Sequence, residues 1–386
     1  MKTIFLFRNK AVGLNDSLSS FCQLAVTAQC LCLFAGPPRL DGAQSELEDA
    51  APASFQGNPR QSHIVEQEQI AHGRKLFMRE TFDGNGRSCV ACHAITTGTL
   101  APVEAQARYQ RAVSSPKGVQ IDPLFRSIDS DDGVSEKYDR LLTNATIRVH
   151  LDLPPEVTLE TDPARRSIVV NRGIPSVINA GLAVVLMADG REPSLESQAL
   201  HAILGHAQAA RLPTQAQLED IAQYERSLFS RPELAGAVPD GSAPLLPPAS
   251  TPEESRGRKH FERGGLCALC HSGPLLNTTL DDRHFENIFV SERNVLQNPV
   301  QHFLFQNADA TMKSVETPDP GLALITGDVA DVNSFRIPTL WNIKNTAPYF
   351  HDNSAQTLED VLAHYRLYLP LSAEDSRDII AFLKLL

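Results

Sequence analysis

Apolar residues recur at helical spacing in three places along the chain. Leu218, Ile221, Ala222, Tyr224 and Leu228 make one stripe, and Ile379, Ile380, Leu383 and Leu386 make another at the C-terminal end. The third follows Thr357, which caps a helix with Asp360 three residues on. Leu358, Val361, Leu362 and Tyr365 then stand at i, i+3, i+4 and i+7, so Tyr365 falls in the middle of the apolar face and His364 about 100° away from it. No βαβ pattern accompanies these stripes, and the pattern predicts a mainly α fold.

Between the helical stripes the punctuation divides the chain. Lys2, Arg8 and Lys10 precede a mostly apolar run, Phe21 to Gly36, interrupted by Gln23 and Gln29; residues 1–36 read as a signal peptide. Residues 37–62 are polar and rich in Pro, Ala and Gly, which predicts a disordered linker. Residues 232–252 hold six prolines, whose fixed φ and missing N–H stop helices, and a Pro-rich linker is expected there. The two domains are then 63–231 and 253–386. They echo each other: Gly73-Arg74-Lys75-Leu76-Phe77 in one answers Gly257-Arg258-Lys259-His260-Phe261 in the other.

Five residues with the spacing Cys-x-x-Cys-His follow each echo, as Cys89-Val90-Ala91-Cys92-His93 and as Cys267-Ala268-Leu269-Cys270-His271. Composition alone gives roughly 0.004 chance copies of this pattern. A zinc ribbon needs a second Cys pair about 15–20 residues away, and a thioredoxin-type pair needs a βαβ context; neither is present. The spacing is the attachment signature of c-type haem, with two thiols for the porphyrin vinyl groups and His93 or His271 for the iron. Helix, haem motif and closing helix are the plan of a small class I cytochrome c. Two such domains in tandem, each with one covalently bound haem, are expected.

The remaining composition narrows the setting. The net charge of −11 argues against nucleic acid and anionic membrane surfaces as partners and suits a basic redox partner. No apolar run reaches the length of an integral membrane span. Outside Cys22, Cys30 and Cys32, all Cys residues belong to the haem motifs, and attachment of haem c takes place outside the cytoplasm. The expected location is the periplasm, as an exported soluble protein.

Further motifs carry a family resemblance. The second half contains Phe335-Arg336-Ile337-Pro338-Thr339-Leu340-Trp341-Asn342 and Thr346-Ala347-Pro348-Tyr349-Phe350-His351; the first contains Arg172-Gly173-Ile174-Pro175 and Asp189-Gly190-Arg191. With the two haem motifs, these make residues 65–386 resemble the bacterial dihaem cytochrome c peroxidase / MauG family. The resemblance implies an N-terminal haem that reacts with hydrogen peroxide, a C-terminal haem that receives electrons, and a calcium ion between them. It places calcium at Thr346, Pro348 and Gly173, the last of which is Asn in the family. It makes Tyr365 the far-side ligand of the C-terminal haem, as in MauG, where peroxidases use Met. It aligns the catalytic Gln with Gln198 and the catalytic Glu with Gln208, a side chain that cannot carry a proton as a carboxyl does. The distal His of the family aligns with Arg165, and Ala188 stands where the family has a Trp between the haems.

On a continuous helix Gln198, His201 and Gln208 fall within about 80° of one another, so His201 is a candidate acid–base. The expected activity is reduction of hydrogen peroxide to water, with a small cytochrome c or cupredoxin as electron donor. A MauG-like oxidase acting on an organic or protein substrate, and a dihaem electron carrier, remain alternatives. A homodimer is admitted by the same resemblance.

Overall fold

The closing helices form where the apolar stripes place them, and each lies across an earlier helix of its own half. In the computed structural model the helices are α1 (Pro59–Arg79), α2 (Pro102–Val113), α3 (Asp139–Asn144), α4 (Leu195–Gly205), α5 (Gln215–Arg226), α6 (Pro232–Ala237), α7 (Pro252–Lys259), α8 (Ala323–Thr326), α9 (Leu358–Tyr365) and α10 (Ala373–Leu383). Residues 59–237, 244–293 and 298–386 are described. The signal peptide expected over 1–36, its three Cys residues and nearly all of the 37–62 linker lie outside them.

Capping explains the helix starts. Thr357 accepts from Asp360 N at 3.1 Å while Asp360 Oδ2 accepts from Thr357 N at 2.9 Å, the reciprocal pair that the sequence spacing predicts for α9. The same device opens α4, α5, α7 and α10. Pro232 and Pro252 are the first residues of α6 and α7, where an absent N–H leaves no helical bond unmade. The stretch expected as a linker over 232–252 is therefore shortened at both ends by helix.

The repeated glycines explain the repeated helix pairs. α1 crosses α5 at Gly73, where a methyl would overlap the carbonyl oxygen of Asp220 and lie 3.0 Å from Tyr224 Cβ. α7 crosses α10 at Gly257, where a methyl would overlap the carbonyl oxygen of Asp378 and lie 3.0 Å from Phe382 Cβ. Only a residue without Cβ lets the backbones approach this closely. Gly73→Ala and Gly257→Ala are each expected to cost about 1–3 kcal/mol through overpacking, read as a lower urea midpoint. A variant as stable as wild type would show that its helix pair can part without loss.

Among the described residues seven short strands join the helices: β1 (Thr146–Asp152), β2 (Val157–Leu159), β3 (Ser167–Gly173), β4 (Phe285–Glu286), β5 (Gln301–Gln306), β6 (Met312–Thr317) and β7 (Phe335–Arg336). β1 and β3 pair antiparallel with Val149 opposite Val170, β4 pairs with β7, and β2-β5-β6 form a three-stranded sheet. That last sheet joins the two halves, with Val157 opposite Phe305. The largest apolar cluster likewise draws on both, packing Leu100, Leu124, Phe125 and Val170 with Phe303, Phe305 and Leu324. The described residues pack as one compact unit, with further clusters around each helix pair. Among the described residues no helix is long and apolar enough to cross a membrane.

Candidate functional site

The two Cys-x-x-Cys-His segments fold alike. Each begins with a single 3₁₀ turn, Cys89–Ala91 or Cys267–Leu269, and the following His donates its N–H back to the first Cys, at 3.0 Å from His93 and 2.8 Å from His271. The imidazoles are held the same way. His93 Nδ1 is 2.7 Å from Gly98 O and His271 Nδ1 is 2.8 Å from Leu276 O. A carbonyl only accepts, so Nδ1 carries the proton in both rings and Nε2 keeps its lone pair. Burial lowers both His pKa values and keeps the rings neutral, although the carbonyl bonds work against it. All four thiols are free, and burial pushes Cys267 up to about 12 and raises Cys89, Cys92 and Cys270.

Each segment lines a cavity. The one beside Cys267, Cys270 and His271 has a volume of about 310 Å³ and mostly apolar walls, including Phe261, Leu340 and Trp341. α9 turns Tyr365 into it. The Tyr365 hydroxyl has no hydrogen-bond partner among the described residues, and burial, reinforced by Cys270 and Cys267, raises its pKa. His364 lies off this face: its Nε2 is 2.6 Å from Ile288 O and it does not line the cavity.

The cavity beside Cys89, Cys92 and His93 has a volume of about 140 Å³. One face of α4 and its continuation supplies a wall through Leu195, Gln198, Ala199, Ala202, Ile203 and His206. His206 Nδ1 is buried with no partner, and burial lowers the pKa of its ring. Glu225 of α5 lines the same space. It is 3% exposed, its Oε2 has no partner, and burial raises its pKa to about 8.

The three residues expected to act together are only partly brought together. Gln198 lines the cavity. His201 does not: its side chain is 63% exposed and its Nδ1 is 2.7 Å from Glu192 Oε1. The physical reason is register. The cavity face centres on Ala202 and His206 with Gln198 at its edge, so a residue three positions after Gln198 turns about 60° further out. Gln208 is not on α4 at all. The helix ends at Gly205, and Gln208 has a left-handed φ of 50° that carries its exposed side chain toward Asn85, whose Nδ2 donates to Oε1 at 3.0 Å. Arg165 is exposed and bonds Ser167 O.

The chain has known relatives. Residues 67–231 match the model of the family described as di-haem cytochrome c peroxidase. Among curated relatives, the cytochrome c551 peroxidase of Nitrosomonas europaea is 26% identical over 55% of this chain and 64% of its own length. The cytochrome-c peroxidase IdrP2 of Denitromonas iodatirespirans is 31% identical over 36% of this chain. The chain thus spans 64% and 40% of the lengths of these two relatives. A solved MauG-like protein associated with microbial copper homeostasis aligns over 83% of this chain and 88% of its own, with 20% identity and a TM-score of 0.49. Haem is the cofactor that the family's description implies, and both cavities fit it: free paired thiols, an imidazole with Nε2 available, and apolar walls.

The motifs that carry the family resemblance meet in one charged cluster between the cavities. Arg172 bonds Asp319 through Nε and Nη2, both at 2.7 Å, and Asp189 through Nη1 at 2.5 Å; Arg191 Nη1 reaches Asp189 at 2.8 Å. Burial opposes every one of these charges, yet Asp189 and Asp319 hold the Arg172 pKa up, and Arg172 holds both carboxyls below their ordinary range. Phe335 lies flat on His351, ring centroids 3.5 Å apart, with the Arg172 guanidinium 5.7 Å from its centroid. Gly173, Thr346 and Pro348, the positions at which the sequence resemblance leads one to expect calcium, all line the larger cavity. Gly173 brings no side-chain oxygen, but Asn353 Oδ1 presses into the space that a side chain at 173 would need, and its Nδ2 donates to Asn144 O at 2.8 Å.

Proposed function

We propose that the chain is an exported haem oxidoreductase that reduces hydrogen peroxide to water in the smaller, N-terminal cavity, with electrons delivered through the larger one. It is built as two tandem cytochrome c-like domains, 63–231 and 253–386, each with one haem c on its Cys pair and on His93 or His271. The observation that carries the chemistry is the α4 face that sets Gln198 and the unpartnered His206 Nδ1 on the wall of the cavity holding His93. When bound, the haem supplies iron that binds peroxide and passes it electrons. The chain's own residues do the rest. The Gln198 amide orients peroxide by hydrogen bonds. His206, kept neutral by burial, takes a proton from peroxide at Nδ1 and returns it to the leaving oxygen, a role that Gln208 cannot fill and that His201 stands too far outside to reach.

In this reading Tyr365, which lines the same cavity as His271, would serve with it to hold the haem iron, and a phenolate would stabilise the ferric state. Calcium would be held by Thr346 and Pro348, with Asn353 Oδ1, which lies beside Gly173, offering the side-chain oxygen that Gly173 lacks. The donor is a small redox protein and the location the periplasm. A second reading, oxidation of an organic or protein substrate, is favoured by the same Tyr365.

The test is peroxide consumption by holo-protein poised with only the higher-potential haem reduced. Turnover is expected, and His206→Ala is expected to slow it about 10²–10⁴-fold with the haem spectra unchanged. Full turnover in His206→Ala would remove the proton role. Turnover that requires an added organic substrate would favour the oxidase, and none at all with both haems intact would leave an electron carrier.

A further inference from the structure

Six residues line both cavities at once: Gly173, Ile174, Pro175, Ser176, Ala188 and Arg336. Arg336 alone among them is charged. Its backbone N–H donates to Ala188 O at 2.7 Å and its Nε donates to Met187 O at 3.0 Å, so both ends of the residue are pinned to the 187–188 segment. The two terminal nitrogens have no hydrogen-bond partner among the described residues, which leaves the rest of its five N–H donors for something else.

Among the described residues no carboxylate answers this charge. Arg87, Arg172 and Arg191, which share the wall of the smaller cavity, each meet one: Asp129 at 2.5 Å for Arg87, and Asp189 and Asp319 for the other two. Arg336 has no ion pair among the described residues, and burial lowers its pKa with no neighbouring charge to oppose it. A guanidinium taken out of water without an anion is costly. Arg336 is half-buried and lines both cavities with its terminal nitrogens unbonded, so what fills the cavities can bring the anion.

We propose that Arg336 is the anion-holding residue shared by the two haem sites, its planar fork taking carboxylates carried by the haem of each cavity. The inference rests on both cavities holding haem. A forked donor with two free faces suits two carboxylates in a way an ammonium does not. One cation set between two redox groups also favours reduction of each, so both potentials depend on the same side chain.

The experiment is a spectroelectrochemical titration of holo-protein carrying Arg336→Gln. Both midpoints are expected to fall, each by about a tenfold change in the reduction equilibrium, or 59 mV for one electron. Arg336→Lys, which keeps the charge and loses the fork, is expected to lower both by less, and it decides by the same criterion should the Gln variant fail to take up both haems. A shift confined to one haem, or no shift in either, would overturn the proposal. The titration requires two haems but no turnover, so its outcome does not depend on whether the protein reduces peroxide.

Discussion

Arg172→Met is expected to lose about 3–5 kcal/mol of stability, seen as a large drop in the urea midpoint at pH 7. The substitution keeps the volume of the side-chain stem and removes the charge. Asp319 and Asp189 are then left buried, at 0% exposure each, without the cation that pairs them. Arg191 still meets Asp189, so the greater penalty falls on Asp319. Asp319 belongs to the C-terminal half and Arg172 to the N-terminal half, so the loss is felt where the halves meet. Adding Asp319→Asn to Arg172→Met should recover part of the stability, because it removes the stranded charge. A single variant within about 1 kcal/mol of wild type would mean that water or His351 neutralises the cluster instead.

The second large effect is one of pH. Glu225 is protonated in the folded chain up to about pH 8, since burial raises its pKa from the ordinary 4.5. In the unfolded chain it ionises near that ordinary value. As pH rises through the interval between the two, the unfolded chain gives up this proton and the folded chain retains it, so folding loses stability with increasing pH. The slope is about 1.4 kcal/mol per pH unit, and the whole interval is worth on the order of 5 kcal/mol. Glu225→Gln removes the titration and keeps the shape. The variant should match wild type near pH 4.5 and exceed it increasingly toward pH 8, by urea unfolding at each pH. Parallel stability curves for the two proteins would show that Glu225 ionises freely in the fold.

What could be read in the sequence is what repeats locally. The stripes of α5, α9 and α10 bury Leu218, Ile221, Leu358, Leu362, Ile379 and Leu383 as their spacing predicts, because a helix face is decided within a few turns. The strands were not legible. In β3, Ile168, Val170 and Arg172 alternate inward, but the third of these reads as polar until Asp189 and Asp319, 17 and 147 residues away, are placed beside it. His206 escaped for a related reason. Its position on the cavity face depends on where α4 ends, and the left-handed turn at Gln208 that fixes this is taken by a residue whose type gives no hint of it. The unpaired Arg336 and Glu225 carry no local signal, since only burial distinguishes them from surface residues.

The pairing of β2 with β5 has a consequence for how the molecule is made. Val157–Leu159 finds its partner in Phe303–Phe305, and the largest apolar cluster is completed only by Ala323 and Leu324. The N-terminal half therefore cannot finish its core when its own last helix emerges. In whatever order the chain is delivered, this half waits for the strand that covers Val157 and Leu159. Until then those residues form an open edge beside exposed apolar surface, where the unfinished half is prone to pair with another chain.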